Sequence, residues 1–577
     1  MTCHPIINEL QKLKESSRYA IAQGGKYDLD SFKKYLHIER EVESRLKNII
    51  VQSSIIHHSQ LVLVCGNVGD GKSHILSYLH NEIPTEIGKF QIHNDATESH
   101  NPNESSNDTL YRILDSFKDI SIKESNSKLI LAINLGTLSK FMEEHGSEFQ
   151  HLASFIEEQA ILDNAMVSFK DFNQESHFHQ INFTDYHLYS LTENGPISNT
   201  ITELMDRIVT PSESNVIYKA YDKIKDHSEF YRCPVRLNYQ FLFNPQNRRL
   251  IEQLIIQSIA QSKEIISVRS LLNFIHDLIV PVQLSSVPNI DQLNVIHNLS
   301  DTEFLRCLIP NYIFEHADLS NLFARLTELD PCNFRNDQTD EKLLKLQSID
   351  HPSELFASDI EPELHREVLQ YIKMEGIDRD VISRYFLRLS FFQNGNVFEN
   401  SEFQEYITWL FHFNKGNSKY LSKLYDLVEN AVKKWYGDPK KGDKVVLKLG
   451  RRQNKYRVFK DFSLTPKPDI PNESQDLILH QFIQEFFVCY ASPSLTGQDI
   501  RIAIDFSLFK TLKMINKGYR PNKKDNNNFI YFVFFINEVI QGNHQNTLYI
   551  DEVNVGQPID YKLTKNPFGG YKFELVS

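Results

Sequence analysis

The sequence predicts a multidomain chain: an α/β core whose parallel sheet is covered by helices on both faces, a mostly helical region, then an α+β region. Three observations predict this. Short apolar strands alternate with helical segments over residues 56–245, the pattern that builds a parallel sheet. A glycine-rich turn joins the first strand directly to a helix. And 577 residues exceed what one hydrophobic core organises.

Residues 1–55 read as a helical segment, amphipathic over Asp30–Ile50. The core, 56–245, opens on the apolar run Leu61–Cys65, then the glycine turn and a helix from Ser73 to His80. A second strand is expected at Lys89–Asp95, a helix at Asp108–Phe117 and a third strand at Lys128–Gly136. Gln180–Leu191 and Val235–Phe243 complete five expected strands. Residues 246–282 form two helical stretches, the second stopped by Pro281, and read as a helical lid of the AAA+ type. Residues 283–435 are expected to be helical. Residues 436–577 carry more strand character between turn clusters such as "YGDPKKGDK" and "RPNKKDNNN".

With 41% hydrophobic and 24% charged residues the chain is ordinary for a globular protein. A net charge of −13 excludes coating nucleic acid by bulk attraction and leaves only a local basic patch open. Cys3, Cys65, Cys233, Cys307, Cys332 and Cys489 are scattered without ligand spacing, as in a reduced compartment. The first residues are polar. The longest apolar run, Phe529–Ile540, falls short of the roughly 20 residues a membrane span needs. A cytoplasmic protein with no membrane partner is expected.

The turn carries the chemistry. Gly66-Asn67-Val68-Gly69-Asp70-Gly71-Lys72-Ser73 fits G-x-x-x-x-G-K-[ST] at every required position, and His74 follows as a further candidate contact. Glycines let successive N–H groups point inward, and the helix N-terminus adds the positive end of its dipole. Lys72 would neutralise the terminal phosphates of ATP, and the Ser73 hydroxyl would bind Mg²⁺. A P-loop NTPase core is the expectation.

Hydrolysis also needs a carboxylate near the metal. The strand best placed to supply one ends in Asn134, which carries no charge. Asp95 and Glu98, after the preceding strand, are the candidate substitutes, Asp95 also as a metal ligand; a helix cap is the competing role for Asp95. The "LYIDEV" run, Leu548–Val553, has the right spelling but lies far along the chain, and an exposed strand end is expected there. Arg269, opening the second lid helix, is the candidate reader of the γ-phosphate, against a surface ion pair. Arg248 and Arg249 could act on a neighbouring subunit, so a homo-oligomer stays open.

Between Lys433 and Lys460 the chain carries eleven Lys or Arg and two Asp, interleaved with Trp435, Tyr436, Tyr456 and Phe459. Phosphate contacts with aromatic stacking would suit DNA; a solvated hairpin with inward aromatics is the alternative. His57, His58, His177 and His179 lack carboxylates at metal spacing, and no nuclease motif is present.

Several stretches together resemble one family, the DptF (DndF) proteins of bacterial DNA phosphorothioation-dependent restriction systems. They are "LKESSRYAIAQGGKYDLDSFKKYLHIEREVE", "LVLVCGNVGDGKSHILSYL", "HNDATES", "LILAINLGTLSKF", "INFTDYHLYSL" and "SVRSLLNFIHDLIVP", spanning residues 13–281. The resemblance implies an ATP-binding subunit that acts with DptG and DptH, and on DNA directly or through them, in antiviral defence against DNA lacking phosphorothioate. The family's P-loop carries over onto Gly66–Ser73; Asn134 leaves its acidic partner unassigned. Two readings follow: an ATPase that remodels or assembles on DNA, and a nucleotide-gated scaffold with little hydrolysis that recruits a nuclease or translocase.

Overall fold

The computed structural model describes residues 4–19, 31–67, 69–94, 106–162, 172–263, 266–288, 290–333, 337–348, 367–368, 370–372, 376–393, 401–439, 443–448, 455–468, 476–491, 499–542, 547–552, 560–566 and 568–576. The chain divides into two compact units. One comprises Met1–Ser190, Pro196–Glu399 and His480–Phe482; the other Leu191–Gly195, Asn400–Leu479 and Ile483–Ser577. The division near residue 400 falls inside the stretch read as one helical region over 283–435.

The first unit begins with helices α1 (Pro5–Tyr19), α2 (Ser31–Leu36) and α3 (Glu41–Ser54). Strand β1 (Gln60–Cys65) follows, then helices α4 (Lys72–Glu82) and α5 (Pro84–Ile87), strand β2 (Gln91–His93) and helix α6 (Ser106–Ile113). Strand β3 (Lys128–Ile133), helices α7 (Leu135–His145) and α8 (Gln150–Glu158), and strand β4 (Phe178–Asn182) come next. These four strands form a wholly parallel sheet in the order β2-β3-β1-β4. β1 lies inside the sheet with all six residues buried, which is why its sequence is a continuous apolar run and not an alternation.

The pleat of β1 feeds two cores. Leu61, Leu63 and Cys65 pack with Leu110, Leu138, Phe141 and Leu152 from α6, α7 and α8. Val62 and Val64 face the other way, onto Val42 and Leu46 of α3 and Ile75, Leu76 and Leu79 of α4. Helices therefore cover both faces, as expected from the alternation of elements.

The expectation of five strands is corrected to four. Gln180–Leu191 divides into β4, a 3-10 turn at Phe183–Asp185 and strand β5 (Tyr186–Thr192), followed by β6 (Gly195–Ile197). Helices α9 (Asn199–Val209) and α10 (Val216–Asp222) precede Val235–Phe243, which is not a strand but the body of helix α11 (Pro234–Phe241). Pro234 occupies its first turn, and Val235, Leu237, Tyr239 and Phe241 are buried together with Arg236 and Asn238. Val235, Leu237, Tyr239 and Phe241 alternate with Arg236, Asn238 and Gln240, the period of a half-buried strand, but Arg236 and Asn238 are buried too, bonded to backbone carbonyls, so the helix is covered on the side that the alternation marks as polar. The two helices expected over 246–282 are α12 (Pro245–Ser262) and α13 (Val268–Ile279), capped by the side chains of Asn244 and Ser267. Beyond them, helices continue to Arg379–Gln393. There the buried Arg388 donates to Asp330, Asn311 and Glu315.

In chain order the remaining strands are β7 (Lys444–Val446), β8 (Tyr456–Asp461), β9 (Ile478–Gln481), β10 (Phe486–Tyr490), β11 (Ile500–Ile504), β12 (Thr547–Glu552), β13 (Asp560–Lys565) and β14 (Tyr571–Val576). In the second unit an antiparallel five-stranded sheet runs β14-β13-β12-β8-β7. Its longest apolar run forms the helix Ile530–Gly542, which buries Phe532, Phe535, Ile536 and Val539. Among the described residues no helix is long and apolar enough to cross a membrane.

Candidate functional site

β1 delivers the chain into a tight turn at the carboxyl edge of the parallel sheet. Cys65 is level with Ile133 of β3 and Asn182 of β4, so Gly66, Asn134 and Phe183 leave the sheet side by side. β3 and β4 flank β1 on opposite sides, which makes this edge a topological switch point, where open parallel sheets bind ligands.

The turn requires its glycines. Gly66 sits at φ 151°, and a Cβ there would come within 2.9 Å of the Phe183 Cβ and of an Asp70 carboxylate oxygen. Gly69 (φ 92°) and Gly71 (φ 91°) hold left-handed backbone, and Gly71 leads directly into α4. Asp70 shapes the turn from below: its carboxylate accepts the Asn67 N–H at 2.6 Å. Burial raises the Asp70 pKa, opposed by the Asn67 amide, Lys72 and Arg40.

Lys72 folds back over the loop and donates to the carbonyls of Gly66 (2.8 Å) and Asn67 (2.7 Å). Its ammonium thus lies inside the curl of the turn, at the N-terminus of the eleven-residue helix α4. The Ser73 hydroxyl, in the first turn of α4, makes no hydrogen bond among the described residues. Val68 lies outside the described residues, as do Asp95 and Glu98.

Arg269 comes to the same place from far along the chain. A Cβ on Gly69 would lie 3.1 Å from Ser267 Oγ and 3.8 Å from Arg269 Cβ, so the start of α13 packs on the crest of the loop. Arg269 is half-buried and makes no hydrogen bond or ion pair among the described residues. Arg248 is otherwise committed: it donates to Asp206 and to the Leu242 and Phe243 carbonyls. Arg249 is exposed.

Asn134 is spent as a helix cap, its Oδ1 accepting the Thr137 N–H at 2.7 Å. A carboxylate that sequence reasoning passed over stands on the other side of β1. Asp185 closes the turn after β4, held by Asn182 Nδ2 at 3.1 Å, and burial pushes its carboxyl up to about 7.

A second group missed in the sequence comes from the segment before α3. Arg40 Nη2 donates to the Asp70 carbonyl at 2.9 Å, and its guanidinium lies 5.6 Å from the Phe183 ring centre. His37 Nδ1 meets His74 Nε2 at 3.0 Å, its other nitrogen lies 3.1 Å from the buried Glu43, and its ring stacks on Tyr78. Burial pushes the His74 pKa down to about 4, with His37, Arg40 and Lys33 adding to the effect. His74 is therefore neutral and tied to the N-terminal segment.

The other sequence candidates are structural. His177 contacts Ser59 and His179 bonds Gln60. Among the described residues no group of His, Cys, Asp and Glu has metal-site geometry. In the basic segment Trp435 and Phe459 are buried. Lys433 pairs with Glu429 and Asp443, Lys444 lies over the Tyr549 ring, and Lys460 donates to the Ile540 carbonyl. Arg451 and Arg452 lie outside the described residues. Asp551 of "LYIDEV", expected at an exposed strand end, is instead buried beside Arg457 in the second unit.

No family model matches the chain, and no similarity to a curated protein or to a solved structure is detected.

Proposed function

We propose that the first unit is a P-loop module that binds ATP with Mg²⁺, and that the chain is the nucleotide-binding subunit of a DNA phosphorothioation-dependent restriction complex. The second half of this reading rests on the resemblance to DptF proteins, with DptG and DptH as partners and DNA lacking phosphorothioate as the target. The first half rests on one observation: a glycine turn at a sheet switch point that carries Lys72 inside its curl, donating to the Gly66 and Asn67 carbonyls of the loop itself.

The residues fit such a ligand. Loop amides and the α4 N-terminus would hold the phosphates, Lys72 would exchange its two carbonyl partners for phosphate oxygens, and the free Ser73 hydroxyl would take the metal. Arg269, half-buried without a counter-charge, would read the terminal phosphate. Mg²⁺, when bound, supplies charge neutralisation between the outer phosphates. DNA would be reached directly or through the partners; in the basic segment Lys433, Lys444 and Lys460 are already engaged, whereas Lys455 is exposed.

A second reading, the nucleotide-gated scaffold, is favoured by Asn134, an uncharged cap where an acidic residue would serve hydrolysis. Nucleotide binding and turnover by the purified chain, with and without DNA and partner subunits, separate the readings. Lys72→Ala should weaken ATP binding by on the order of tenfold to a hundredfold, the loss of one or two charge-assisted contacts. Equal affinity in Lys72→Ala would sink the nucleotide site. Binding without turnover above the Lys72→Ala background in any mixture would leave the scaffold.

A further inference from the structure

The outermost strand of the second unit's five-stranded sheet is β14, and among the described residues no strand pairs with its outer edge. Natural edges are guarded by brevity, proline, bulges or inward charges. β14 has no proline, glycine or bulge, six residues pairing with β13 in unbroken register, and its two charges, Lys572 and Glu574, are of opposite sign. Instead Tyr571 (69% exposed), Phe573 (58%) and Leu575 (65%) stand on one face of the strand. Lys572 and Glu574 alternate with them on the other face and pair with each other. The apolar face continues onto β13, where Tyr561 stacks on Phe573 at 5.1 Å between ring centres.

The hairpin turn determines which backbone groups face outward. The Asn566 N–H donates to the Gly570 carbonyl at 2.8 Å, making this a hydrogen-bonded pair of the β13–β14 ladder. Pairs alternate along an antiparallel ladder, so Lys572 and Glu574 direct their amides and carbonyls to β13. Tyr571, Phe573 and Leu575 direct theirs to the free edge.

The sequence of the strand, Tyr571-Lys572-Phe573-Glu574-Leu575, is complementary to itself when reversed. Laid antiparallel on a second copy with a two-fold axis at Phe573, it sets Phe573 opposite Phe573, Tyr571 opposite Leu575 and Lys572 opposite Glu574. Both charges then meet the opposite sign, both apolar pairs meet, and about six main-chain hydrogen bonds close across the axis. We propose that β14 is a homodimerisation edge, joining two copies of this chain by antiparallel β14–β14 pairing centred on Phe573. The occupant is a second copy because the strand's own charge order selects its mirror partner, as an isologous two-fold contact demands.

Sedimentation of the full chain tests this, with circular dichroism confirming that each variant is folded. The wild type should sediment as a dimer. Lys572→Glu alone sets like charges opposite at two places across the axis, as does Glu574→Lys alone; each should weaken dimerisation on the order of tenfold to a hundredfold. The double swap, Lys572→Glu with Glu574→Lys, should dimerise again. An equimolar mixture of the two single variants should form heterodimers, because one then presents two negative and the other two positive positions. A monomeric wild type, single variants as dimeric as the wild type, or a mixture and double swap that both stay monomeric would overturn the proposal.

Discussion

Acidification should destabilise the first unit selectively, because four of its histidines are held neutral by burial. Desolvation pushes His4 down to about 3 and His74, His179 and His187 down to about 4. In the unfolded chain these rings titrate near 6.5. Below that value the unfolded state binds protons that the folded state refuses, so stability is full above pH 6.5 and is lost as pH falls from 6.5 towards 4. Between pH 7.5 and 5.5 each ring costs about 1.3 kcal/mol, so the four together cost about 5 kcal/mol. Asp185 acts in the opposite sense. Its carboxyl, raised by burial to about 7, binds its proton more tightly when folded, so its stabilising protonation is lost as pH rises through 7 and regained on acidification. That returns about 2 kcal/mol over the same interval and leaves a net loss of about 3 kcal/mol.

The chain supplies its own reporter for this. Both tryptophans, Trp409 and Trp435, belong to the second unit. In urea unfolding, tryptophan emission therefore follows that unit alone, while far-ultraviolet circular dichroism follows both. Lowering the pH from 7.5 to 5.5 should move the phase seen only by dichroism to lower urea, on the order of 1 M, and move the emission phase less. His412 is the one described histidine of the second unit whose pKa burial lowers. A dichroism phase that holds its midpoint, or two phases that shift together, would refute the reasoning.

Two further substitutions test the packing around the loop and behind it. Gly66→Ala forces a side chain into φ 151° against Phe183 and Asp70, and should cost about 1–3 kcal/mol in the dichroism phase while weakening ATP binding. Arg388→Ala leaves the buried Asp330 carboxylate without its ion-pair partner and should cost about 3–5 kcal/mol, again read in the first unit's urea midpoint.

The parts legible in the sequence were those whose physics is local. The glycine turn announced itself because strand, loop and helix are contiguous and the spacing of Gly66, Gly71, Lys72 and Ser73 is set by backbone geometry over eight positions. β1, β3 and the helices α12 and α13 were legible for the same reason. Val235–Phe243 failed as a strand because its alternation of apolar and polar residues mimics a half-buried strand, while the polar Arg236 and Asn238 are in fact buried and hydrogen-bonded within a helix. Arg40, His37 and Glu43 carried no local signal. Arg40 reaches the Asp70 carbonyl across thirty positions, and nothing about an Arg in "HIEREVE" says which loop it will brace. Asp185 was likewise hidden inside a stretch expected to be one strand, where its level relative to Gly66 depends on the β1–β4 register. The basic segment shows the reverse: a conspicuous charge run in which Lys433, Lys444 and Lys460 are spent on neighbours.

Under the proposed nucleotide-binding reading, the contacts around the loop bear on affinity and on turnover in different ways. The shape of the turn does not depend on Lys72: Asp70 ties it to the Asn67 amide, Arg40 ties it to the N-terminal segment, and Phe183 walls Gly66. A loop braced from three sides needs little reorganisation on binding, so the interaction energy of Lys72, Ser73 and Arg269 is available for affinity. Turnover asks for something different, a charged carboxylate beside the metal. Asn134 is engaged in capping α7, burial disfavours the charged form of Asp185, and the candidates Asp95 and Glu98 lie outside the described residues.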